Sequence, residues 1–151
     1  MEISAKTDYA VRAMLGLAAR YPDLVKVDVL VADQKLPRKF LEAILGDLRR
    51  ANLVRSQRGA EGGYALARPA TEIALGQIIR AVDGPLAEVR GLRPHEMTYG
   101  GFAEHLPRIW VAVRASLRRV LDETTVADAL SGKLPAHVRE LIEMPDAWQS
   151  R

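Results

Sequence analysis

Between positions 35 and 68 the chain carries Lys35, Arg38, Lys39, Arg49, Arg50, Arg55, Arg58 and Arg68, against Glu42, Asp47 and Glu61. Eight cations and three anions give this segment a charge of +5. With the whole chain of 151 residues at +3, the remainder is left at −2. Guanidinium and ammonium groups at this density neutralise phosphates well, because every phosphate contact releases condensed counterions. A solvated charged face mixes its signs more evenly, so the asymmetry points to nucleic acid. Groups for covalent chemistry are missing. With no cysteine there is no thiol nucleophile, no disulfide and no thiolate metal site. Neither a phosphate-binding Gly-Lys-Ser loop nor a Ser-centred elbow occurs, and no nucleophile–base pair or paired carboxylates stand out. The expected class is therefore not an enzyme.

Two elements must position the cations. Residues 36–50 predict a helix, with Phe40, Leu41, Ile44, Leu45 and Leu48 at the spacing of one buried face. Pro37 suits the first helical position. The opposite face holds Arg38, Lys39, Glu42, Ala43, Gly46, Asp47, Arg49 and Arg50, and is slim at Ala43 and Gly46. Residues 53–55 and 64–67 read as the strands of a hairpin that turns through the glycine-rich residues 58–63. A slim basic helix followed at once by a basic hairpin is the pattern of a winged helix-turn-helix. In that design the helix enters the major groove of double-stranded DNA and the hairpin reaches the neighbouring minor groove. Charge and facing make Arg38, Arg49, Arg50 and Arg55 candidates for phosphate contacts.

The remaining chain supplies a scaffold. Ser4 caps a first helix to about Arg20, its stripe being Tyr9, Ala10, Ala13, Met14 and Leu17. A short helix over 27–35 turns Val29, Leu30 and Val31 inward, and another over 75–82 buries Leu75, Ile78, Ile79 and Val82. From 86 to 105 the periodicity fails, which marks a functional or disordered loop. A long helix then carries Leu106, Ile109, Trp110, Val113, Leu117, Val120 and Leu121 as an a/d-like seam over two heptads, with Arg108, Arg114, Arg118 and Arg119 outside it. A second copy of the chain is the economical partner for that seam, which predicts a homodimer. Short helices follow, one capped by Thr125 and one over 137–143 with Val138, Leu141 and Ile142 on one side. The expected fold is mainly α with a small β-hairpin. It divides into a winged helix-turn-helix domain (1–84), an irregular effector-type loop (85–105), a dimerisation helix (106–123), and C-terminal short helices and tail (124–151). No apolar run approaches the ~20 residues of a membrane helix, and residues 1–6 lack the apolar region of a secretory signal. A cytoplasmic location, without a membrane partner, is expected.

Specific stretches carry a family likeness. They are residues 4–15 (Ser-Ala-Lys-Thr-Asp-Tyr-Ala-Val-Arg-Ala-Met-Leu), Phe40-Leu41-Glu42, Leu48-Arg49-Arg50, Leu53-Val54, Arg58-Gly59 with Gly62-Gly63-Tyr64, and residues 78–84. In these, and in the order of its elements, the chain resembles the Rrf-type bacterial winged-helix regulators (the IscR-, NsrR- and CymR-like proteins) over nearly its whole length. The resemblance implies a homodimer in which the long helix crosses to the partner. It also implies that Lys39 and Glu42 face base edges and that Arg58 enters the minor groove. A carboxylate at Glu42 can accept from a cytosine amino group, and Lys39 can donate to guanine.

Two departures stand out. The family wing reads Arg-Gly-Pro-Gly-Gly-Gly-Tyr, whereas Ala60 and Glu61 stand here in place of a proline and a glycine. Iron–sulfur members use three loop cysteines as cluster ligands, so a cysteine-ligated cluster is excluded in a chain that has none. His95, Glu96, Glu104 and His105 offer nitrogen and oxygen donors, but their spacing matches no known metal site. Asp8 and Arg12 lie where some members place non-cysteine ligands, and an arginine cannot ligate. Neither metal nor cofactor is expected. An effector stays open, either a partner protein or a small molecule held between loop, first helix and long helix by Arg90, Arg93, Tyr99 and Trp110. The expected function is a sequence-specific DNA-binding transcriptional regulator, a repressor acting as a homodimer on a pseudo-palindromic operator. The alternatives are a winged-helix module for protein contacts and a regulator controlled by a ligand or partner protein.

Overall fold

The computed structural model describes residues 2–150. Its first helix, α1 (Ala5–Ala18), starts where the Ser4 hydroxyl accepts a hydrogen bond of 3.0 Å from the Thr7 N–H. Such a cap satisfies one of the N–H groups that a helix start leaves without a partner. Next come α2 (Val27–Gln34) and α3 (Arg38–Arg50), then strands β1 (Val54–Gln57) and β2 (Gly63–Leu66). The strands pair antiparallel from Val54 with Leu66 to Gln57 with Gly63. After α4 (Leu75–Asp83) the chain is irregular, broken only by 3-10 turns at Pro94–Glu96 and Gly101–Ala103. The long α5 (Leu106–Leu121), α6 (Val126–Ser131) and α7 (Ala136–Ile142) complete it. The class is the expected one, mainly helical with a single two-stranded hairpin among the described residues. None of those helices is long and apolar enough to cross a membrane.

One core organises these elements. Ala10, Ala13, Met14 and Leu17 of α1 are fully buried, together with Leu30 of α2, Leu45 and Leu48 of α3, Leu66, Ile73 and Ile78. Burying a leucine-sized side chain contributes about 1.5–3 kcal/mol, so these side chains dominate the stability. Helix α1 is the hub, touching α2, α3, α4, α6 and β2. The chain returns to this core after α5. The Leu75 N–H donates to the Thr124 carbonyl at 2.9 Å and the Val126 N–H to the Ile73 carbonyl at 2.8 Å, and Val126 is fully buried in the same cluster. The end of α5 lies hard against α4, because a Cβ at the buried Gly76 would come within 1.9 Å of Asp122 Oδ1.

Several side chains sit elsewhere than their spacing predicts. Phe40 is 62% exposed. It stands about 100° of helical rotation from Leu41, past the edge of the face that Leu41, Ile44, Leu45 and Leu48 turn inward. Pro37 is extended (ψ 116°) and caps α3 from outside. In α2 only Leu30 is buried and Val29 is 38% exposed, since so short a helix presents one side to its neighbours. On α1, Tyr9 is half-buried and Thr7 is buried in its stead, its hydroxyl bonded to Asp83. Leu141 and Ile142 are 46% and 40% exposed, because α7 buries only Val138. No residue of α5 is fully buried. Ile109 is 55% exposed, and Leu106, Trp110, Val113, Leu117, Val120 and Leu121 are half-buried.

Asp83 ties α4 to the start of α1. Its carboxylate accepts from the Ser4 hydroxyl and, at 2.6 Å, from Thr7 Oγ1. These bonds, with the Lys6 charge nearby, hold the Asp83 carboxyl below its ordinary value of 3.8. A carboxylate whose pKa is lowered by folding stabilises the fold above the unfolded value. That stabilisation is lost as pH falls through the lowered folded value. Asp83→Asn is therefore expected to lower the urea midpoint at neutral pH, with the gap to the unsubstituted protein closing below pH 3.8. A gap that is the same in neutral and strongly acid buffer would assign the loss to packing instead.

Candidate nucleic-acid interface

Lys35 ends α2 in the left-handed conformation (φ 52°, ψ 42°), which reverses the chain into α3. Leu36 is buried at the turn, with its N–H donating to the Val31 carbonyl at 3.3 Å. Helix α3 cannot then rotate freely, because Leu41, Ile44, Leu45 and Leu48 all face the core. Its other side, with Arg38, Lys39, Glu42, Ala43, Arg49 and Arg50, is exposed. Gly46 and Asp47 are half-buried rather than on that open side, and Asp47 pairs with Lys6 of α1 at 2.8 Å.

The cations on this surface differ in what already holds them. Arg38 pairs with Asp28 of α2, and its Nε donates to Glu42 at 3.2 Å. Arg50 pairs with Asp47. Arg49 Nη1 donates to Ser56 Oγ of β1 at 3.4 Å, and Arg55 Nη2 donates to the Pro22 carbonyl at 3.0 Å. Lys39 and Arg58 are exposed and have no hydrogen bond or ion pair among the described residues. Exposed ion pairs contribute about 0–1 kcal/mol, so Arg38 and Arg50 can exchange a carboxylate for a phosphate at little loss. Arg49 joins α3 to the hairpin, and Arg55 joins the hairpin to the segment before α2.

The hairpin has a support that sequence patterning missed. Val25 pairs with Tyr64, its N–H donating to the Tyr64 carbonyl at 2.7 Å while the Tyr64 N–H returns a bond of 2.8 Å. The only advance signal was the alternation of Val25, Lys26 and Val27, too short to read as a strand. The turn over 58–61 is exposed, with Ala60 and Glu61 at its tip. Gly62 is buried beneath it. A Cβ there would lie 2.1 Å from the Gln57 carbonyl oxygen, so the turn closes only over a glycine.

The donors of the irregular stretch are dispersed. His95 Nδ1 accepts from Arg114 Nη1 and Nη2 at 3.1 Å, Glu96 accepts from the Arg93 N–H at 2.9 Å, and His105 faces Glu104 at 3.2 Å. Asp8 pairs with Arg12. The residues considered for an effector are also divided. Arg90 and Trp110 line one cavity of about 320 Å³, Arg93 lines another of about 270 Å³, and Tyr99 lines neither. The Trp110 indole N–H is buried without an acceptor among the described residues.

Comparison with known proteins gives this geometry a context. Residues 3–132 match the Rrf2 family, described as iron-dependent transcriptional regulators. Rv1287 of Mycobacterium tuberculosis, which carries the assignment of HTH-type transcriptional regulator, is 51% identical over 151 residues, 99% of this chain and 94% of that protein. The HTH-type transcriptional regulator CymR of Bacillus subtilis is 33% identical over 132 residues, 87% of this chain and 91% of that protein. The solved structure of CymR, the global cysteine regulator of B. subtilis, superposes with a TM-score of 0.74, covering 87% of this chain and 98% of that one at 31% identity. IscR of T. potens superposes with a TM-score of 0.71 at 33% identity, covering 88% of each chain. The residues present do not fit a cysteine-ligated form of the iron named in the family description. There is no cysteine, and among the described residues no three His, Asp or Glu side chains are grouped to hold a metal.

Gly62 provides a direct check on the wing. Gly62→Val is expected to lose about 1–3 kcal/mol of stability, because its added carbons collide with the Gln57 carbonyl and force the turn apart, read as a lower urea midpoint. Gly100→Ala, whose added Cβ meets nothing within 4 Å, should be nearly neutral. Similar midpoints for the two variants would mean that the hairpin absorbs the extra carbons.

Proposed function

We propose, on the premise that this chain belongs to the Rrf2 family of DNA-binding transcriptional regulators, that it represses transcription as a homodimer on a pseudo-palindromic operator, with α3 in the major groove and the β1–β2 turn in the minor groove. One observation carries this reading. Lys39 at the start of α3 and Arg58 in the turn are exposed cations that no internal partner claims.

Each side chain has a physical role in that arrangement. Lys39 donates to a guanine or neutralises a phosphate, and Glu42 accepts from a cytosine amino group. Its partner Arg38 offsets the repulsion that a carboxylate meets near the DNA backbone. Arg49, Arg50 and Arg55 meet phosphates beside the groove, and Arg58 follows the wing into the minor groove. Glu61 at the tip turns the wing so that Arg58, not the apex, approaches the DNA. The apolar residues of α5, with Ile109 more than half exposed, meet a second copy. Two recognition helices then read half-sites one helical turn or a multiple of it apart. Repression follows by occlusion of the promoter. Control comes from a small ligand or a partner protein, without a cysteine-ligated iron–sulfur cluster and without enzymatic activity.

Fluorescence anisotropy on the DNA upstream of its own gene, against a scrambled duplex at several salt concentrations, tests this reading. Tight, salt-dependent binding with preference for the native duplex is expected. Equal, salt-independent binding of both would turn the reading toward a protein-interaction module. Arg58→Ala should weaken native-duplex binding by about 1–3 kcal/mol, and an unchanged affinity would remove Arg58 from the contact. Glu42→Ala should relax discrimination between the duplexes more than it lowers affinity for the scrambled one. Parallel losses on both would deny it a base-reading role.

A further inference from the structure

We propose that a second cationic site, where α4, the irregular stretch and α5 meet, binds a small molecule bearing a phosphate group. Arg80, Arg93, Arg114 and Arg118 line one cavity of about 270 Å³, with Pro85 and Leu86 as its apolar wall and no carboxylate in the lining. Of the carboxylates beside the cavity, Asp122 is already committed, accepting from Arg80 Nη2 at 2.7 and 2.6 Å through its two oxygens, and Glu96 accepts from the Arg93 backbone N–H at 2.9 Å. Arg114 donates only to the neutral acceptor His95 Nδ1, at 3.1 Å from each terminal nitrogen. The guanidinium groups of Arg93 and Arg118 have no partner among the described residues. Three guanidinium groups that make no ion pair among the described residues therefore gather around one cavity, while Asp122 and Glu123 line the adjoining groove beside Arg114 and Arg118.

Such a gathering is unfavourable in the free protein. Arg114 and Arg118 are four residues apart on one helix, a spacing at which like charges destabilise. Leu86 of the wall is buried, while the Arg93 and Arg118 side chains reach solvent. The last-turn position of Arg118 suits the helix dipole, but that leaves Arg93 and Arg114 unexplained. A phosphate monoester relieves all three at once, since its terminal oxygens match the planar forks of guanidinium groups. The groups belong to α4, α5 and the stretch between them, whereas the DNA-facing cations belong to α3 and the hairpin. A bound phosphate would brace α5 against α4, which packs on α3. The consequence for DNA affinity rests on the function proposed above, but the binding itself does not.

The full-length protein, in its solution oligomeric state, is titrated calorimetrically with sodium phosphate and, at matched ionic strength, with sodium chloride. Thermal unfolding is followed in the same buffers. Saturable binding and a raised unfolding temperature in phosphate alone are expected. Arg93→Ala and Arg118→Ala, each checked for native circular dichroism, should weaken binding about tenfold, the scale of one lost charge-assisted hydrogen bond. Arg139→Ala, which removes an exposed charge from α7, should leave it unchanged. Phosphate acting no better than chloride, or an equal loss in Arg139→Ala, overturns the site. In phosphate-free buffer Arg93→Ala should retain the DNA affinity of the unsubstituted protein, and a fall there would make these arginines DNA contacts and equally overturn it. Phosphate binding in a protein that binds no duplex would leave this site standing and remove the proposed DNA function.

Discussion

Burial of Leu41, Ile44, Leu45 and Leu48 against α1 is the constraint on which the rest depends. A helix has one rotational freedom about its axis, and four buried side chains remove it. With that rotation set, the exposed side of α3 follows, and so does the selection of Arg38, Lys39, Glu42 and Arg50 as its outward residues. The hairpin inherits the same frame. Arg49 reaches β1, Arg55 reaches the segment before α2, and the Val25–Tyr64 bridge holds β2 close to the turn. A side chain too small at Leu45 or Leu48 would therefore disturb the aim of groups far from the cavity it leaves.

Apolar spacing alone makes most of this frame readable. The helices and the hairpin all fall close to where their periodicities place them, because each turns a face of regular repeat toward its neighbours. Phe40 marks the limit of apolar spacing as a guide to burial. Its type is apolar and its spacing adjacent, yet a few tens of degrees decide whether an edge position is covered, and only the neighbouring elements supply that. Val25 fails for the opposite reason, since a bridge of one residue on each side has no period to detect.

The cations divide in the same way. Their number and sign are plain in the chain, but their commitments are not. Arg38, Arg50 and Arg55 depend on Asp28, Asp47 and the Pro22 carbonyl, of which only Asp47 is close in sequence. Arg80, Arg93, Arg114 and Arg118 are spread over three separate stretches. Nothing local marks them as neighbours until α4 and α5 are packed together. Tertiary structure thus sorts one basic composition into charges that brace the fold and charges left free for a partner.

The paired backbone bonds between residues 73–75 and 124–126 have a further consequence. Apart from α4, everything between these anchors is an excursion that leaves the shared core at Gly84 and rejoins it at Asp122. The two ends of that excursion are secured independently of what it contains. None of its described residues belongs to the buried cluster that holds α3. Its length and lining can therefore vary without removing a side chain from that cluster.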